Sequence, residues 1–261
     1  MGNPDVEHDA ETGLMEMRAF YKEFRNKGDG SQPVRQFLEE AFQDETLLLR
    51  YLKGRKFRSQ YAWDTLRRYA EVRFDSYPET FTDPISKSAL HMRENNAFGV
   101  LKHRDSEGRR IVYFNTNEWD IDKVTIKEAM AASLPLIENL LLDKDCLDNG
   151  LIFVQECSAM SMKHAGQYTL PAMLRVINLY WFAYPIKVKG VYFVNFPFLL
   201  AFLYRIVKPF LPKKLKERLF LTPPSRKFDD LTAQISPTIL PKILGGDLEL
   251  EEAVDPNFLD M

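Results

Sequence analysis

The stretch from Ala183 to Leu219 constrains the fold more than any other part of this sequence. It opens with IKVKGVYF (Ile186–Phe193), in which apolar residues crowd together and β-branched types recur. Such a run is typical of a strand that is buried on both faces, as in a parallel sheet covered by helices. Asn195 and Pro197 follow directly and are suited to the start of a helix. The pattern therefore predicts a strand inside a parallel sheet with a helix immediately after it.

The predicted helix, from Pro197 to Lys208, carries no charge before Arg205. Apolar side chains lie on both of its sides, with Phe198, Leu199, Phe202, Leu203 and Ile206 on one and Leu200, Ala201, Tyr204 and Val207 on the other. A helix that is apolar nearly all round is either deeply buried or in contact with an apolar partner. A helix needs about 20 apolar residues to cross a bilayer, and the uncharged run is shorter than that. We therefore do not expect a transmembrane helix here.

A basic segment follows this helix. The run LPKKLKERL sets four cations against the single acid Glu217, namely Lys213, Lys214, Lys216 and Arg218. An apolar helix beside a cationic segment is the composition of a surface that meets an anionic membrane. A core helix followed by a solvated basic turn has the same composition, so the residues alone leave both interpretations open.

The composition of the whole chain limits the class of protein. A length of 261 residues with 45% hydrophobic residues suits one large domain, or one domain with a smaller partner, and a substantial core. The net charge of −2 excludes a generally basic nucleic-acid-binding protein. Two cysteines, Cys146 and Cys157, provide no disulfide framework, and the first ten residues do not have the pattern of a signal peptide. We expect a cytoplasmic protein.

Helical patterns fill the first third of the chain, where Asp44 is a predicted N-cap and residues 1–13 are expected to be disordered. Strands are predicted only afterwards, at Phe98–His103, Arg109–Asn115, Leu151–Cys157, Ile186–Asn195 and Arg218–Thr222. Predicted helices, such as 125–142 and 170–182, separate several of them, which implies crossover connections and parallel strands. The predicted fold class is α/β: an all-helical module over residues 1–80, then a mostly parallel sheet flanked by helices over 81–250. An acidic tail over 251–261 ends the chain.

Catalytic motifs are missing from the sequence. The four histidines have no metal-ligand spacing, and there is no P-loop and no GxGxxG pattern. Ser158 lies in Glu156-Cys157-Ser158-Ala159-Met160, which is not a nucleophile elbow. Cys157 at the end of an apolar strand is more typical of a core residue than of a nucleophile. We therefore predict a binding protein and not an enzyme, with no catalytic residue, no metal site and no cofactor.

Two segments carry a resemblance to a known family. LLLRYLKGRKFRSQYAWDTL and the later YPIKVKGVYFVNFPFLLAFLYRIVKPFLPKKLKERL, followed by ILPKILGGDL, resemble the CRAL-TRIO lipid-binding and lipid-transfer proteins. The resemblance covers Asp44 to Leu248, and the order PIKVKGVYFVN, VKPFL, KERL, LPKILGG makes it specific. It implies a sheet that floors an enclosed apolar lipid cavity, with a mobile gate helix at Pro197–Val207. The implied function is binding of a tocopherol-like or retinoid-like lipid and its transfer from membrane to membrane.

The resemblance also implies site residues and partners. The implied lipid pocket comprises Ser133, Ile137, Phe153, Gln155, Val191, Phe198, Phe202 and Leu203. The implied phosphoinositide cleft comprises Arg55, Lys187, Lys189, Lys214, Lys216 and Arg218. The expected partners are a hydrophobic small-molecule lipid and an anionic membrane surface containing phosphoinositides, which a monomer would contact peripherally. No nucleic acid is expected. The alternative function is a phosphoinositide-reading membrane-trafficking adaptor, in which the acidic tail recruits a protein partner.

Overall fold

The computed structural model describes residues 4–258, without the side chains of residues 4–8, 199 and 203. Its α-helices are α1 (Pro4–Lys27), α2 (Gln32–Ala41), α3 (Glu45–Gly54), α4 (Ser59–Glu71), α5 (Glu79–Thr82), α6 (Lys87–Glu94), α7 (Ile126–Leu140), α8 (Lys144–Asn149), α9 (Met162–Gln167), α10 (Leu170–Val176), α11 (Ala201–Val207), α12 (Lys213–Lys216), α13 (Asp229–Thr232) and α14 (Leu250–Ala253). Two π-helical segments continue α4 and α10, at Val72–Ser76 and Ile177–Ala183. The strands are β1 (Phe98–Val100), β2 (Arg110–Asn115), β3 (Leu151–Glu156), β4 (Val188–Val194) and β5 (Leu219–Leu221).

The five strands form one sheet in the order β1-β2-β3-β4-β5. β1 is antiparallel to β2, and the other three pairs are parallel. Each strand lies within a few residues of its predicted position. The prediction of an α/β fold with a mostly parallel sheet after a helical N-terminal region is therefore confirmed.

The chain divides into two compact units. One, the helical unit, contains the described residues up to Thr82 together with Arg175–Lys187, and the other, the sheet unit, contains residues from Asp83 to Leu174 and from Val188 onward. The boundary after Thr82 lies close to the predicted end of the helical module at residue 80. The prediction placed Arg175–Lys187 in the sheet-containing range 81–250, whereas the structure places this segment in the helical unit.

An aromatic core organises the helical unit. Trp63 of α4 is buried, and its ring centroid lies 5.6 Å from that of Phe24 and 5.8 Å from that of Phe42. Asp44 caps α3, since its Oδ1 accepts a hydrogen bond from the amide of Leu47 at 3.0 Å. The expectation of disorder over residues 1–13 is wrong from Pro4 onward. α1 is anchored by buried residues such as Met17, and extending an anchored helix by further turns costs little.

Segment 175–187 is an integral part of the helical unit. Tyr184 is fully buried, and its ring lies 5.4 Å from that of Tyr69. At Gly54, the end of α3 approaches this segment so closely that a Cβ atom would lie 1.9 Å from the carbonyl oxygen of Pro185. A glycine is therefore required at this position by close backbone approach.

In the sheet unit, one face of the sheet packs against the C-terminal part of the chain. The buried residues of this core are Leu101, Ile111, Tyr113, Ile152, Val154, Tyr192, Val194, Leu231, Ile235, Leu240, Leu244, Ala253 and Val254. Val254 also forms an antiparallel bridge with Leu101. The predicted acidic tail is thus packed into the sheet unit as far as Phe258, which is buried, and residues 259–261 lie outside the described part of the chain.

Candidate functional site

The second face of the sheet presents two rows of mainly apolar side chains. Strand register places Val112, Phe153, Val191 and Leu219 side by side in one row, and Phe114, Gln155, Phe193 and Leu221 in the next. We call these eight residues the open face. Although β3 and β4 are interior strands, Phe153, Val191 and Phe193 are only half-buried. Apolar side chains at the centre of a sheet are normally close-packed, so this face has contact area left for an apolar ligand.

One polar pair interrupts the apolar open face. Gln155 is buried, and its Nε2 donates to the Tyr168 hydroxyl oxygen at 3.1 Å and lies 3.8 Å from the sulfur of Met160. Burial raises the pKa of Tyr168, so its hydroxyl stays protonated and is a hydrogen-bond donor at neutral pH. Among the described residues no acceptor for that proton is found. The pair can therefore form a hydrogen bond with one polar group of a ligand.

The other pocket residues predicted outside the sheet lie on α7 and on the segment after β4. Ser133 and Ile137 are half-buried and one helical turn apart, so they share a face of α7. The Ser133 hydroxyl donates to the carbonyl oxygen of Met130 at 2.8 Å. The side chain of Leu203 lies outside the described residues. The structure therefore brings Phe153, Gln155 and Val191 together on the open face and leaves the assignment of α7 to the pocket as a prediction.

The segment after β4 exposes a line of large apolar side chains. Phe198, Phe202, Ile206 and Phe210 follow one another at four-residue spacing and are 90%, 46%, 50% and 52% exposed. We call them the apolar stripe. Leu200 and Val207, predicted for the opposite side, are buried. The predicted continuous helix is wrong in one respect, because α11 is flanked by 3-10 turns at Phe198–Leu200 and Lys208–Phe210.

The orientation of this segment bears on two pocket predictions. In this conformation Phe198 and Phe202 belong to the exposed side and not to an enclosed one. Phe210 was missed altogether, although the four-residue spacing that starts at Phe198 and runs through Ile206 could have identified it.

Cations without ion pairs lie on β4, on this segment and just after it. Arg205, Lys208, Lys213 and Lys214 are exposed, and Lys189, Lys216 and Arg218 are half-buried. We call these seven residues the basic group. Among the described residues, no carboxylate forms an ion pair with any of them, whereas cations elsewhere in the sheet unit, such as Lys163 with Asp122, are paired. Unpaired cations beside exposed apolar side chains suit an anionic, partly apolar surface.

The residues of the predicted phosphoinositide cleft fall in both units. Lys189, Lys214, Lys216 and Arg218 are in the sheet unit, and Arg55 and Lys187 are in the helical unit. Arg55 is buried, and its guanidinium donates to Thr65 Oγ1 at 2.9 Å and to the carbonyl oxygens of Tyr184 and Ile186 at 2.6 and 3.3 Å. Each of its three guanidinium nitrogens is thus already used within the helical unit.

Three further observations concern the chemistry that the chain can support. No helix in the described part of the chain combines the length and the apolar character needed to cross a membrane. Residues 4–258 contain no group of three or more His, Cys, Asp or Glu side chains placed to hold a metal ion. Cys157 is buried, and burial raises the pKa of its thiol, which confirms its assignment to the core.

Comparison with known proteins gives consistent matches. The model of the CRAL/TRIO domain matches residues 94–246. Clavesin-2 from Homo sapiens is 32% identical over 212 residues, which cover 78% of this chain and 62% of that protein. Clavesin-1 from Xenopus laevis is 33% identical over 210 residues, 78% of this chain and 61% of that protein. The match thus spans about three fifths of the length of these relatives. The crystal structure of Sfh5 has a similar fold, with a TM-score of 0.57 at 13% identity over 98% of this chain and 93% of that one.

Proposed function

Because this chain belongs to the CRAL/TRIO domain family, whose members are lipid-binding proteins, we propose that it binds a hydrophobic lipid and transfers it between membranes. The observation that carries the proposal is the open face, where Phe153, Val191 and Phe193 lie on interior strands and are still half-buried. A lipid with about 20 buried CH₂ groups would gain roughly 16 kcal/mol from leaving water, at ~0.8 kcal/mol each. Immobilisation of the ligand offsets part of this gain.

The proposed pocket combines an apolar wall with one polar point. Phe153 and Val191 contact the apolar body of the lipid, and Gln155 with Tyr168 binds its polar group. Ser133, Ile137 and Leu203 remain in the proposed pocket from the sequence prediction. A tocopherol-like or retinoid-like molecule, with a long apolar body and a single oxygen-containing head, fits this arrangement.

The apolar stripe and the basic group together form the proposed membrane contact. Phe198 and Phe202, predicted for the pocket, are assigned here to the membrane side, because they are exposed. Each large apolar side chain that leaves water gains about 1.5–3 kcal/mol on full burial, and each cation near an anionic surface contributes about 1 kcal/mol. We propose that Phe198–Phe210 is the gate segment, which opens against the membrane because the bilayer replaces water around the stripe.

Phosphoinositides are the proposed anionic component. Lys189, Lys216 and Arg218 are half-buried cations without a carboxylate partner among the described residues, so they can donate charge-assisted hydrogen bonds to an anionic head group. Within the part of the chain that the structure describes, Arg218 uses only one nitrogen, Nη1, which donates to the carbonyl oxygen of Val188 at 2.5 Å. Arg55 is left out of this proposed site because its guanidinium is already hydrogen-bonded within the helical unit.

The test is lipid binding and transfer by the full chain. Mass spectrometry of organic extracts should identify a co-purifying lipid, and fluorescent tocopherol and retinoid probes should bind with a stoichiometry near one per chain. Val191→Trp fills the middle of the open face and should lower that stoichiometry severalfold. Leu142→Trp, at an exposed position on the surface, is the matched control and should not. A chain that carries no lipid and gives the same stoichiometry in both variants would contradict the proposal.

The alternative of a trafficking adaptor gains no specific support. In this alternative, the acidic tail recruits a protein partner. In the structure, however, Asp255 accepts a hydrogen bond from Arg110 at 3.2 Å and Val254 is part of the core. The described part of that tail is therefore already engaged within the sheet unit.

A further inference from the structure

A buried carboxylate without a cationic partner lies at the C-terminal end of β3. Glu156 is 3% exposed, and its oxygens accept hydrogen bonds from Asn195 Nδ2 at 3.0 Å and Asn117 Nδ2 at 3.0 Å. The amide and the hydroxyl of Ser158 also donate to it, at 3.0 and 2.9 Å. Among the described residues no Lys or Arg pairs with this carboxylate. A buried charge is costly unless hydrogen bonds satisfy it, and here all the donors are neutral groups from three different strand ends.

Asn195, one of these donors, has an unusual backbone conformation. Its φ angle is +52°, in the left-handed region that side chains other than glycine rarely adopt and that Asn tolerates better than most. It follows the last residue of β4 and precedes Pro197 by two positions. The hydrogen bond from Asn195 to Glu156 therefore joins the ends of β3 and β4 at the point where the chain turns out of the sheet.

Hydrogen bonds to the rest of the sheet unit stop just after this turn. The amide of Phe196 donates to the carbonyl oxygen of Thr222 at 2.8 Å. Of the described residues between 198 and 210, none forms a hydrogen bond with another element. The gate segment is held instead by buried apolar side chains, among them Leu200 and Val207. Asn195 and Phe196 are thus the last residues before the gate segment that hydrogen bonds attach to the sheet.

We propose that Glu156 is a positioning residue for the gate segment: through Asn195 it fixes the left-handed turn and so sets how often residues 198–210 detach from the sheet unit. The inference deepens the proposed function, since the gate segment is the element that moves there. A hydrogen bond to a buried charge typically changes a local opening equilibrium by about tenfold or more. Weakening the hydrogen bond between Glu156 and Asn195 should therefore raise the population in which residues 198–210 are detached by at least that factor.

Hydrogen–deuterium exchange of the full chain tests this directly. Glu156→Gln places an amide NH₂ against groups that are themselves donors, and Asn195→Asp places a second carboxylate beside Glu156. Each change should speed amide exchange in residues 198–210 by about tenfold or more. In the double variant, the amide introduced at 156 can donate to the carboxylate introduced at 195, so exchange should return to within about threefold of the parent chain. A residue that only supported the Asn117 and Ser158 turns would not be rescued in this way.

Asp105→Asn is the matched control. Asp105 is also a buried carboxylate, but it lies in the turn between β1 and β2, where it accepts hydrogen bonds from the amides of Glu107 at 3.0 Å and Arg109 at 2.9 Å. Unlike Glu156, it also pairs with a cation, the guanidinium of Arg109, at 2.5 Å. The substitution Asp105→Asn should loosen that turn and leave the amide exchange rates of residues 198–210 unchanged. If Glu156→Gln does not fold, Asn195→Gly removes the same hydrogen bond while accepting the positive φ, and the same tenfold rise is expected.

Two results would overturn the inference. Either the single variants exchange amides in residues 198–210 at the rate of the parent chain, or the double variant exchanges them as fast as the single variants do. Transfer of a fluorescent tocopherol between vesicles is measured on the same proteins to separate this inference from the proposed function. The expected exchange pattern together with no transfer by the parent chain would support the positioning role of Glu156 and reject lipid transfer.

Discussion

At the scale of single residues, an ion network surrounds the buried Arg110 in the sheet unit. The guanidinium of Arg110 donates to Asp143 at 2.5 Å and to Asp255 at 3.2 Å, and it lies 5.2 Å from the ring centroid of Phe258. Burial alone would raise the pKa of Asp143, but hydrogen bonds from the amide of Cys146 and from Arg110 outweigh it, so its pKa is lowered. The start of β2, the N-cap of α8 and the C-terminal segment are therefore tied together by charge.

Replacing Asp143 should destabilise the chain in a pH-dependent way. Asp143→Asn removes one of the two carboxylates that pair with the buried Arg110, so the free energy of unfolding should fall by about 3 kcal/mol at pH 7. The folded-state pKa of Asp143 lies below the unfolded value of about 3.9, so its contribution is complete above that pH and is lost as the pH falls through the folded pKa. Urea unfolding between pH 7 and pH 3 should show the two chains converging at the acid end.

An exposed neighbour provides the comparison for this prediction. Asp145 pairs with Arg104 at 2.8 Å, but both side chains are well exposed. Asp145→Asn should therefore cost no more than about 1 kcal/mol. A gap between parent and Asp143→Asn that stayed constant across the pH range would show that the lost contribution is not a titrating charge.

Gly54 offers a second test at this scale. Gly54→Ala would place a methyl group 1.9 Å from the backbone oxygen of Pro185, which cannot move as a side chain can. We expect a loss of about 3 kcal/mol or more, seen as earlier unfolding of the helical unit. Gly166 in α9 has no atom within 4 Å of the corresponding position. Gly166→Ala should therefore stabilise by up to about 1 kcal/mol, and similar effects of both changes would contradict the steric argument.

At the scale of elements, the strands were predictable because their residues carry local signals. IKVKGVYF and LIFVQEC are apolar and rich in β-branched or aromatic residues, and β4 and β3 lie there. The buried state of Arg55 was not predictable, because two of its acceptors, the carbonyls of Tyr184 and Ile186, are 129 and 131 residues away. The same holds for α1, which starts earlier than its composition indicates because tertiary packing anchors it.

The candidate site was predictable to a similar extent. Alternation along a strand is enough to put Phe153 and Gln155 on one face, and the register adds Val191 beside Phe153. Which side of the gate segment faces outward depends on packing against the rest of the fold, and sequence periodicity divides a helix into sides without orienting them. For that reason Phe198 and Phe202 were predicted for the pocket and lie on the exposed side.

The apolar stripe gives a prediction at the element scale. Phe198→Asp combined with Phe202→Asp replaces two exposed aromatic side chains with charges that resist entry into a bilayer. Affinity for vesicles should fall by at least about a hundredfold, and transfer between vesicles should fall with it, because each lost aromatic contributes about 1.5–3 kcal/mol. Ligand binding in detergent should stay at the parent level. The measurements are co-sedimentation and probe transfer.

Leu142→Asp is the control for the stripe, since Leu142 is also a large exposed apolar residue of the sheet unit but lies outside the gate segment. Equal effects of the two changes would mean that general surface polarity, and not the stripe, governs vesicle binding.

At the scale of the whole molecule, a net charge of −2 coexists with a local concentration of cations. Within the basic group, Lys213 and Lys214 are exposed, whereas Lys189, Lys216 and Arg218 are half-buried. Exposed cations interact with any anionic surface through long-range attraction, which salt screens. Half-buried cations can instead form direct hydrogen bonds with a phosphorylated head group.

These two classes of cation should respond differently to membrane composition. Replacing Lys189, Lys216 and Arg218 with Ala should remove about 3 kcal/mol, a drop of about a hundredfold in vesicle affinity, and more on phosphoinositide vesicles than on phosphatidylserine vesicles of equal charge. Replacing Lys213 and Lys214 should weaken binding to both kinds of vesicle alike. Added salt should reduce the difference in affinity between the parent chain and this variant. Co-sedimentation measures both, and equal losses for the first variant on the two kinds of vesicle would reduce the basic group to a nonspecific cationic patch.

The contribution of Arg175–Lys187 to the helical unit has a consequence for biosynthesis. Tyr184, whose carbonyl oxygen accepts a hydrogen bond from Arg55, is translated about a hundred residues after Thr82, where the N-terminal part of the helical unit ends. At about 5–20 residues per second, that interval is roughly 5–20 s. Throughout it the nascent N-terminal helices lack both the aromatic ring that packs on Tyr69 and the backbone that contacts Gly54. The unit that is translated first is thus completed only after β1, β2 and β3 have been synthesised, and a nascent chain stalled before residue 187 exposes an unfinished hydrophobic surface to chaperones.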